Sequence, residues 1–156
     1  MVTYINPTKI INQVTHKLPV EVYQKTGQFI GGCWDKNLSL FENRPAVQAI
    51  RQRYTEGADW EDTLYYNLRK SGKYGTIKDV KKFLKAVDRL YKDIKENGYN
   101  ENPQTWKWNE HNTNHIGIAV TRKGEKVWMH DGQHRLAIAQ VLKLKKVPAR
   151  VIVLWK

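Results

Sequence analysis

The chain has 156 residues, 40% of them hydrophobic and 27% charged, which is enough for one domain with a real core that needs no covalent staples. Its 27 Lys and Arg against 15 acids give a formal net charge of +12, which points to a polyanionic partner such as nucleic acid; a basic surface without a partner is the alternative. The single cysteine, Cys33, excludes an intrachain disulfide and suits a reducing cytoplasm, no apolar run is long enough to span a bilayer, and Met1 to Leu18 resembles no secretory or transit peptide.

Leu18 to Tyr23 alternates apolar and polar residues and predicts a short strand, with Pro19 placing it at an edge or a strand start. Gly27, Gly31 and Gly32 then mark a loop. Asn43 is placed as the N-cap of a helix with Pro45 in its first turn, and Val47, Ile50 and Tyr54 recur at helical spacing until Gly57. Asp59 is read as the cap of a second helix, whose apolar stripe is Trp60, Leu64 and Leu68 and which ends near Gly72. Glu61 and Asp62 in its first turn can serve as catalytic carboxylates, but the helix dipole accounts for them more simply.

The strongest helical pattern runs from Thr76 to Asn97, with Thr76 and Asp79 as a capping-box variant and Asn97-Gly98 as the stop. Ile77, Val80, Phe83, Leu84, Val87, Leu90, Tyr91 and Ile94 form its apolar face. Lys78, Lys81, Lys82, Lys85, Arg89 and Lys92 make the opposite side basic; Lys78, Lys82 and Lys85 are candidate nucleic-acid contacts, although a solvated face diluted by Asp79, Asp88, Asp93 and Glu96 explains them more simply.

Tyr99 to Asn114 is polar and aromatic and reads as a loop, in which Trp106 and Trp108 can stack on bases, cover a ligand or cover the core. Ile116 to Val120 and Lys126 to His130 form a hairpin through Lys123-Gly124. A glycine turn follows, then a helix from about Gln133 to Leu144 and a last strand from Val147 to Trp155 opened by Pro148. Hairpin and crossover together predict an α+β domain with a mixed sheet.

The turn Asp131-Gly132-Gln133-His134-Arg135 is the leading site, because a helix N-terminus after a strand offers backbone N–H groups and positive dipole charge to a phosphate. Gly132 would let the backbone approach, the N–H groups of Gln133, His134 and Arg135 would cradle the oxygens, and the Arg135 guanidinium would neutralise charge. Asp131 would hold Mg²⁺ or act as a base. A rival is a His-based metal centre from the pairs His111/His115 and His130/His134.

The run from Val87 to Val153, with Ile116-Gly117-Ile118-Ala119-Val120, Asp131-Gly132-Gln133-His134-Arg135-Leu136-Ala137 and Val147-Pro148-Ala149-Arg150-Val151, resembles the core of the ParB/sulfiredoxin superfamily. The resemblance implies an α+β single domain over residues 1–156, a small mixed sheet flanked by helices, with an N-terminal helical segment (1–75) outside the family core (76–156). Members bind nucleotides at the matching helix: ParB proteins hydrolyse CTP, sulfiredoxins use ATP, and related kinases phosphorylate serine with ADP. It therefore implies that Gly132, Gln133, His134 and Arg135 bind the phosphates of a nucleoside di- or triphosphate. Asp131 and Gln133 would be the catalytic candidates, with Mg²⁺ on Asp131.

Gln133 stands where sulfiredoxins carry their catalytic cysteine and ParB proteins a glutamate. That excludes sulfiredoxin chemistry and favours binding over turnover, since glutamine takes no proton. The sequence also stops after the last strand, where partition ParB proteins continue into a DNA reader, so chromosome segregation is not expected. The expected function is nucleotide-phosphate binding, with NTP hydrolysis or phosphotransfer beside it, near nucleic acid. A kinase of a small hydroxylated molecule and a non-catalytic DNA- or RNA-binding module are the alternatives.

Overall fold

The computed structural model describes residues 2–101 and 115–156. It contains seven strands and five helices in one mixed sheet with helices packed on it, so the α+β single domain holds. The strands are β1 (Val2–Ile5), β2 (Asn12–Val14), β3 (Gln28–Ile30), β4 (Leu38–Leu40), β5 (Ile116–Val120), β6 (Lys126–His130) and β7 (Val147–Trp155). The helices are α1 (Val20–Tyr23), α2 (Pro45–Glu56), α3 (Leu64–Arg69), α4 (Ile77–Asn97) and α5 (Gln133–Val141). None is long and apolar enough to cross a membrane.

The sheet runs in the order β1-β7-β5-β6-β2-β4, and β3 also pairs with β7. β7 is its organising strand. Its first half pairs antiparallel with β1 and its second half parallel with β3, while β5 lies parallel along its other side. The run Val147 to Val153 is buried throughout, as expected of a strand covered on both faces. One face is closed by α2, α4 and α5, whose Ile50, Val87 and Leu136 pack with Ile118 and Val151. The other is covered by the 18–40 segment, where Trp34, Tyr23 and Val22 pack on Ala119, Met129 and Ile152.

The N-terminal segment is therefore not simply helical, and the sheet is not small: residues 2–40 supply four of its seven strands. Leu18 to Tyr23 is also not a strand. Pro19 removes a ladder donor, and the residues after it close into α1, with Val20 68% exposed.

At α2 the residue before Pro45 is Arg44, which makes no side-chain cap, while Asn43 sits in a preceding 3₁₀ turn; Gly57 ends the helix left-handed as expected. Trp60–Asp62 is likewise a 3₁₀ turn, and α3 is capped by Thr63, whose hydroxyl accepts from Tyr66 N. The buried residues of α3 are Tyr65 and Tyr66, whereas Leu64 and Leu68 face out, so the stripe Trp60/Leu64/Leu68 does not form.

α4 follows the sequence pattern, with both hydrogen bonds of the Thr76–Asp79 capping box and Val80, Leu84, Val87, Leu90 and Ile94 buried. Asp88 locks it to α2: it accepts from Arg53 Nε at 2.7 Å, Arg53 Nη2 at 2.9 Å, Tyr54 Oη at 2.8 Å and Trp60 Nε1 at 3.1 Å. β5 and β6 form the expected hairpin. A bulge follows Gly117, where a β-carbon would stand 2.3 Å from His130 O, so only glycine lets β6 pass this closely into the turn before α5.

Candidate functional site

The turn before α5 places two consecutive residues in the left-handed region, Asp131 at φ 58° and Gly132 at φ 71°. Gly132 occupies the N-cap of α5 and so has no side chain with which to cap it. A β-carbon on Gly132 would lie 2.8 Å from Ile116 Cγ1 and 3.0 Å from Ile116 Cα, so packing on β5 demands glycine here whether or not a ligand approaches. The helix start carries the partial positive charge of its dipole, with Gln133 half-buried between the buried Gly132 and His134.

It opens into a cleft of about 580 Å³ lined by Arg44, Arg69, Tyr74, Phe83 and Trp128 together with residues 130–134. Arg44 reaches it from the start of α2. Its guanidinium lies 4.5 Å from the centre of the Trp128 ring and donates to Gln133 Oε1 at 2.7 Å and to Gln13 Oε1 at 3.0 Å. Gln13 is held in turn by Ser39 Oγ and Leu40 O, so the β2–β4 pair fixes the arginine. Burial lowers the Arg44 pKa from its ordinary value, with Tyr65 acting weakly the other way.

Arg69 comes from the last turn of α3. Its guanidinium carbon lies 3.9 Å from the Phe83 ring centre, 4.4 Å from that of Tyr74 and 5.5 Å from that of Tyr65. Nη1 donates to Tyr65 Oη at 3.1 Å, while Nε is buried and has no acceptor among the described residues.

His134 is buried and pushed down to about 3, first by burial and then by the charges of Arg69, Arg135 and Arg44. It is neutral at physiological pH. Its Nε2 lies 2.8 Å from Tyr65 Oη, and its ring meets Phe83 edge-on at 5.4 Å. With the ring proton on Nδ1, the Tyr65 hydroxyl donates to Nε2 while it accepts from Arg69. His134 is a wall of the cleft and not the cationic phosphate ligand that its position in the motif suggests.

Arg135 departs further from expectation. It is 1% exposed, beneath α5 and beside the Tyr99 hydroxyl, and it is absent from the cleft lining. α5 is a core helix with Arg135 to Ala139 all buried, so the last residue of the motif turns inward. The guanidinium groups that line the cleft are those of Arg44 and Arg69.

Asp131 is engaged elsewhere. Its Oδ2 accepts from Arg150 Nη2 at 2.9 Å, and its Oδ1 lies 3.5 Å from His130 Nε2. Arg150 also donates to the carbonyls of Tyr23 and Lys25, tying the turn to α1. The described residues hold no group of three or more His, Cys, Asp or Glu able to bind a metal ion. A paired carboxylate in a ring of arginines does not fit a protein-built Mg²⁺ site at Asp131. His130 and His134 are also separated, the first half-exposed against Tyr23 and the second buried on Tyr65. Trp106, Trp108 and His111 lie outside the described residues.

Sequence reasoning found the helix start but missed Arg44, Arg69, Tyr65, Tyr74, Phe83 and Trp128 as its surroundings. One signal was present. Arg44 directly precedes a helix, where the dipole disfavours a cation unless something else holds it. No protein-family model, curated protein or solved structure matches the chain.

Proposed function

We propose that the cleft at the start of α5 binds the phosphates of a nucleoside di- or triphosphate. The observation that carries this is convergence: an uncapped helix N-terminus, two guanidinium groups and three aromatic rings line one cavity whose only acid among the described residues is Asp131, already paired with Arg150. Phosphate oxygens suit the helix end, Arg44 and Arg69, while Tyr74, 47% exposed at the cleft, leaves ring surface for a base. The resemblance of Asp131 to Arg135 to the ParB/sulfiredoxin motif supports the same assignment, with the arginines redistributed. The reading stops at binding, because Gln133 takes no proton and Asp131 is committed to an ion pair. A reducing, cytoplasmic setting suits the exposed, unpaired Cys33.

The test is thermal unfolding with CTP, ATP, ADP, GTP and inorganic phosphate, each with and without Mg²⁺, for the native chain and for Arg69→Gln and Arg44→Gln. At least one nucleotide is expected to raise Tm by several degrees, without requiring Mg²⁺, and both substitutions are expected to abolish the rise. Absence of stabilisation by every nucleotide, or a rise that survives both substitutions, overturns the proposal.

A further inference from the structure

We infer that the outer face of α4 is a docking surface for the phosphate backbone of a nucleic acid, independent of the cleft. Lys78, Lys82, Lys85 and Arg89 follow one another at spacings of four, three and four residues, which sets them in a single row along the helix. Lys81 and Lys92 flank the row, so six cations occupy one side over about 21 Å of helix at 1.5 Å per residue. The opposite side is the buried row Val80, Leu84, Val87, Leu90 and Ile94.

The acids beside this row are what make a mixed, merely solvated face a fair reading of the sequence; the structure ties Asp79, Asp88 and Asp93 into hydrogen bonds, while Glu96 stands at the C-terminal end of the row. Asp79 accepts from Thr76 N at 2.9 Å and Thr76 Oγ1 at 2.8 Å, completing the capping box at the helix start. Asp88 turns to Arg53, Tyr54 and Trp60. Asp93 accepts from Asn97 Nδ2 at 2.8 Å. Asp59 and Glu61 share a hollow with Lys81 and Lys85, and Asp79 lies beside Lys78 and Lys82 at the N-terminal end, so Lys82, Lys85 and Arg89 form the middle of the row.

Two polyanions compete for such a face, and α4 favours one. A helix that settles on an anionic membrane must bury an apolar face in the lipid. The apolar face of α4 is already spent on the core. A rigid line of cations at about 5 Å per turn instead suits the repeated charges of a nucleic-acid strand.

The experiment is fluorescence anisotropy with a labelled mixed-sequence DNA of about 30 nucleotides, single-stranded or duplex, titrated at salt from about 50 to 300 mM. Three proteins are compared: the native chain, the triple variant Lys82→Gln/Lys85→Gln/Arg89→Gln, and the charge-matched control Lys17→Gln/Lys36→Gln/Lys145→Gln at exposed sites elsewhere. The native chain is expected to bind with steep salt dependence; the α4 variant should bind about tenfold or more weakly at low salt, its log–log salt slope flatter by about 2 to 3. The control should stay within about twofold of native binding. Circular dichroism melts establish that the variants fold. Absence of binding by the native chain, equal losses in the α4 variant and the control, or capture by phosphatidylserine vesicles without DNA binding would each overturn the inference.

Discussion

The Tyr65 hydroxyl bridges two groups of opposite habit: it accepts a hydrogen bond from Arg69 Nη1 and, with the ring proton on Nδ1, donates one to the buried Nε2 of His134. The bridge works only while the imidazole is neutral, which burial and three nearby guanidinium groups enforce. Folded His134 binds a proton only near pH 3, whereas the unfolded chain binds it near the ordinary 6.5. Between those values the unfolded state holds the extra proton. The contribution of His134 to stability is therefore complete above about pH 6.5 and is lost as the pH falls toward 3, by up to about 1.4 kcal/mol per unit. Urea unfolding from pH 7 to 4.5 should show a shallower decline for His134→Gln than for the native chain; parallel declines would refute the assignment.

Tyr65→Phe removes the bridging oxygen and leaves Nε2 buried without its donor. A loss of about 1–3 kcal/mol is expected. Denaturant midpoints check this, and the same substitution should raise the His134 pKa little, because the guanidinium charges stay in place. An imidazole signal that begins to titrate near pH 6 in Tyr65→Phe would show that the hydroxyl, not burial and charge, controls the ring.

Asp88 concentrates four hydrogen bonds from α2 and the Trp60 turn on one carboxylate of α4. Burial opposes its ionisation, but the bonds from Arg53, Tyr54 and Trp60 outweigh it and hold its pKa below the ordinary carboxylate value. Its stabilisation is present above about pH 4 and disappears as the pH falls through the lowered value. Asp88→Asn should cost about 1–3 kcal/mol at neutral pH. A cycle with Arg53→Met should be strongly non-additive; additive costs would mean the two groups do not share a bond network.

Gly132 and Gly124 both adopt positive φ, at 71° and 79°, but differ in what surrounds them. Alanine at 124 meets nothing within 4 Å, whereas at 132 it strikes Ile116, including its backbone. Gly124→Ala should cost about 1 kcal/mol, the strain of the left-handed conformation alone, and Gly132→Ala roughly 2–3 kcal/mol or more. Calorimetry separates them, and equal costs would remove the packing argument.

Arg150 joins the Asp131 turn to the carbonyls of Tyr23 and Lys25. Arg150→Met should free the 18–27 segment while β5 and β6 stay closed. Hydrogen exchange would show this as an increase of about tenfold or more in the α1 amides alone. Uniform acceleration across β5 would instead assign Arg150 to global stability.

The elements that the sequence made legible carry their information locally. α4 declares its start through Thr76 and Asp79 and its core face through a continuous 3.6-residue period, and the β5–β6 hairpin and β7 are short-range patterns of the same kind. β1 to β4 are three or four residues each and owe their existence to partners more than a hundred residues away or to one another, which no window of sequence contains. Tyr65 and Tyr66 are buried in place of Leu64 and Leu68 because the Tyr65 hydroxyl has Arg69 and His134 to bond. At the site, the glycine before α5 marks where the helix begins, but nothing local says that α5 is enclosed on all sides. Arg135 is buried for that reason, and the arginines that line the cleft, Arg44 and Arg69, come from the start of α2 and the end of α3.

The pairing pattern around β7 also bears on how the chain reaches its structure. β1, β3 and β5 all find their partner in residues 147–155. During synthesis the first of these strands must wait for almost the entire chain to be made before any of its sheet hydrogen bonds can form. Helical segments such as α4 can close on their own far earlier. One strand thus completes the sheet late, and a nascent chain ending at residue 146 would carry β1 and β3 with no neighbour and β5 paired on one side only.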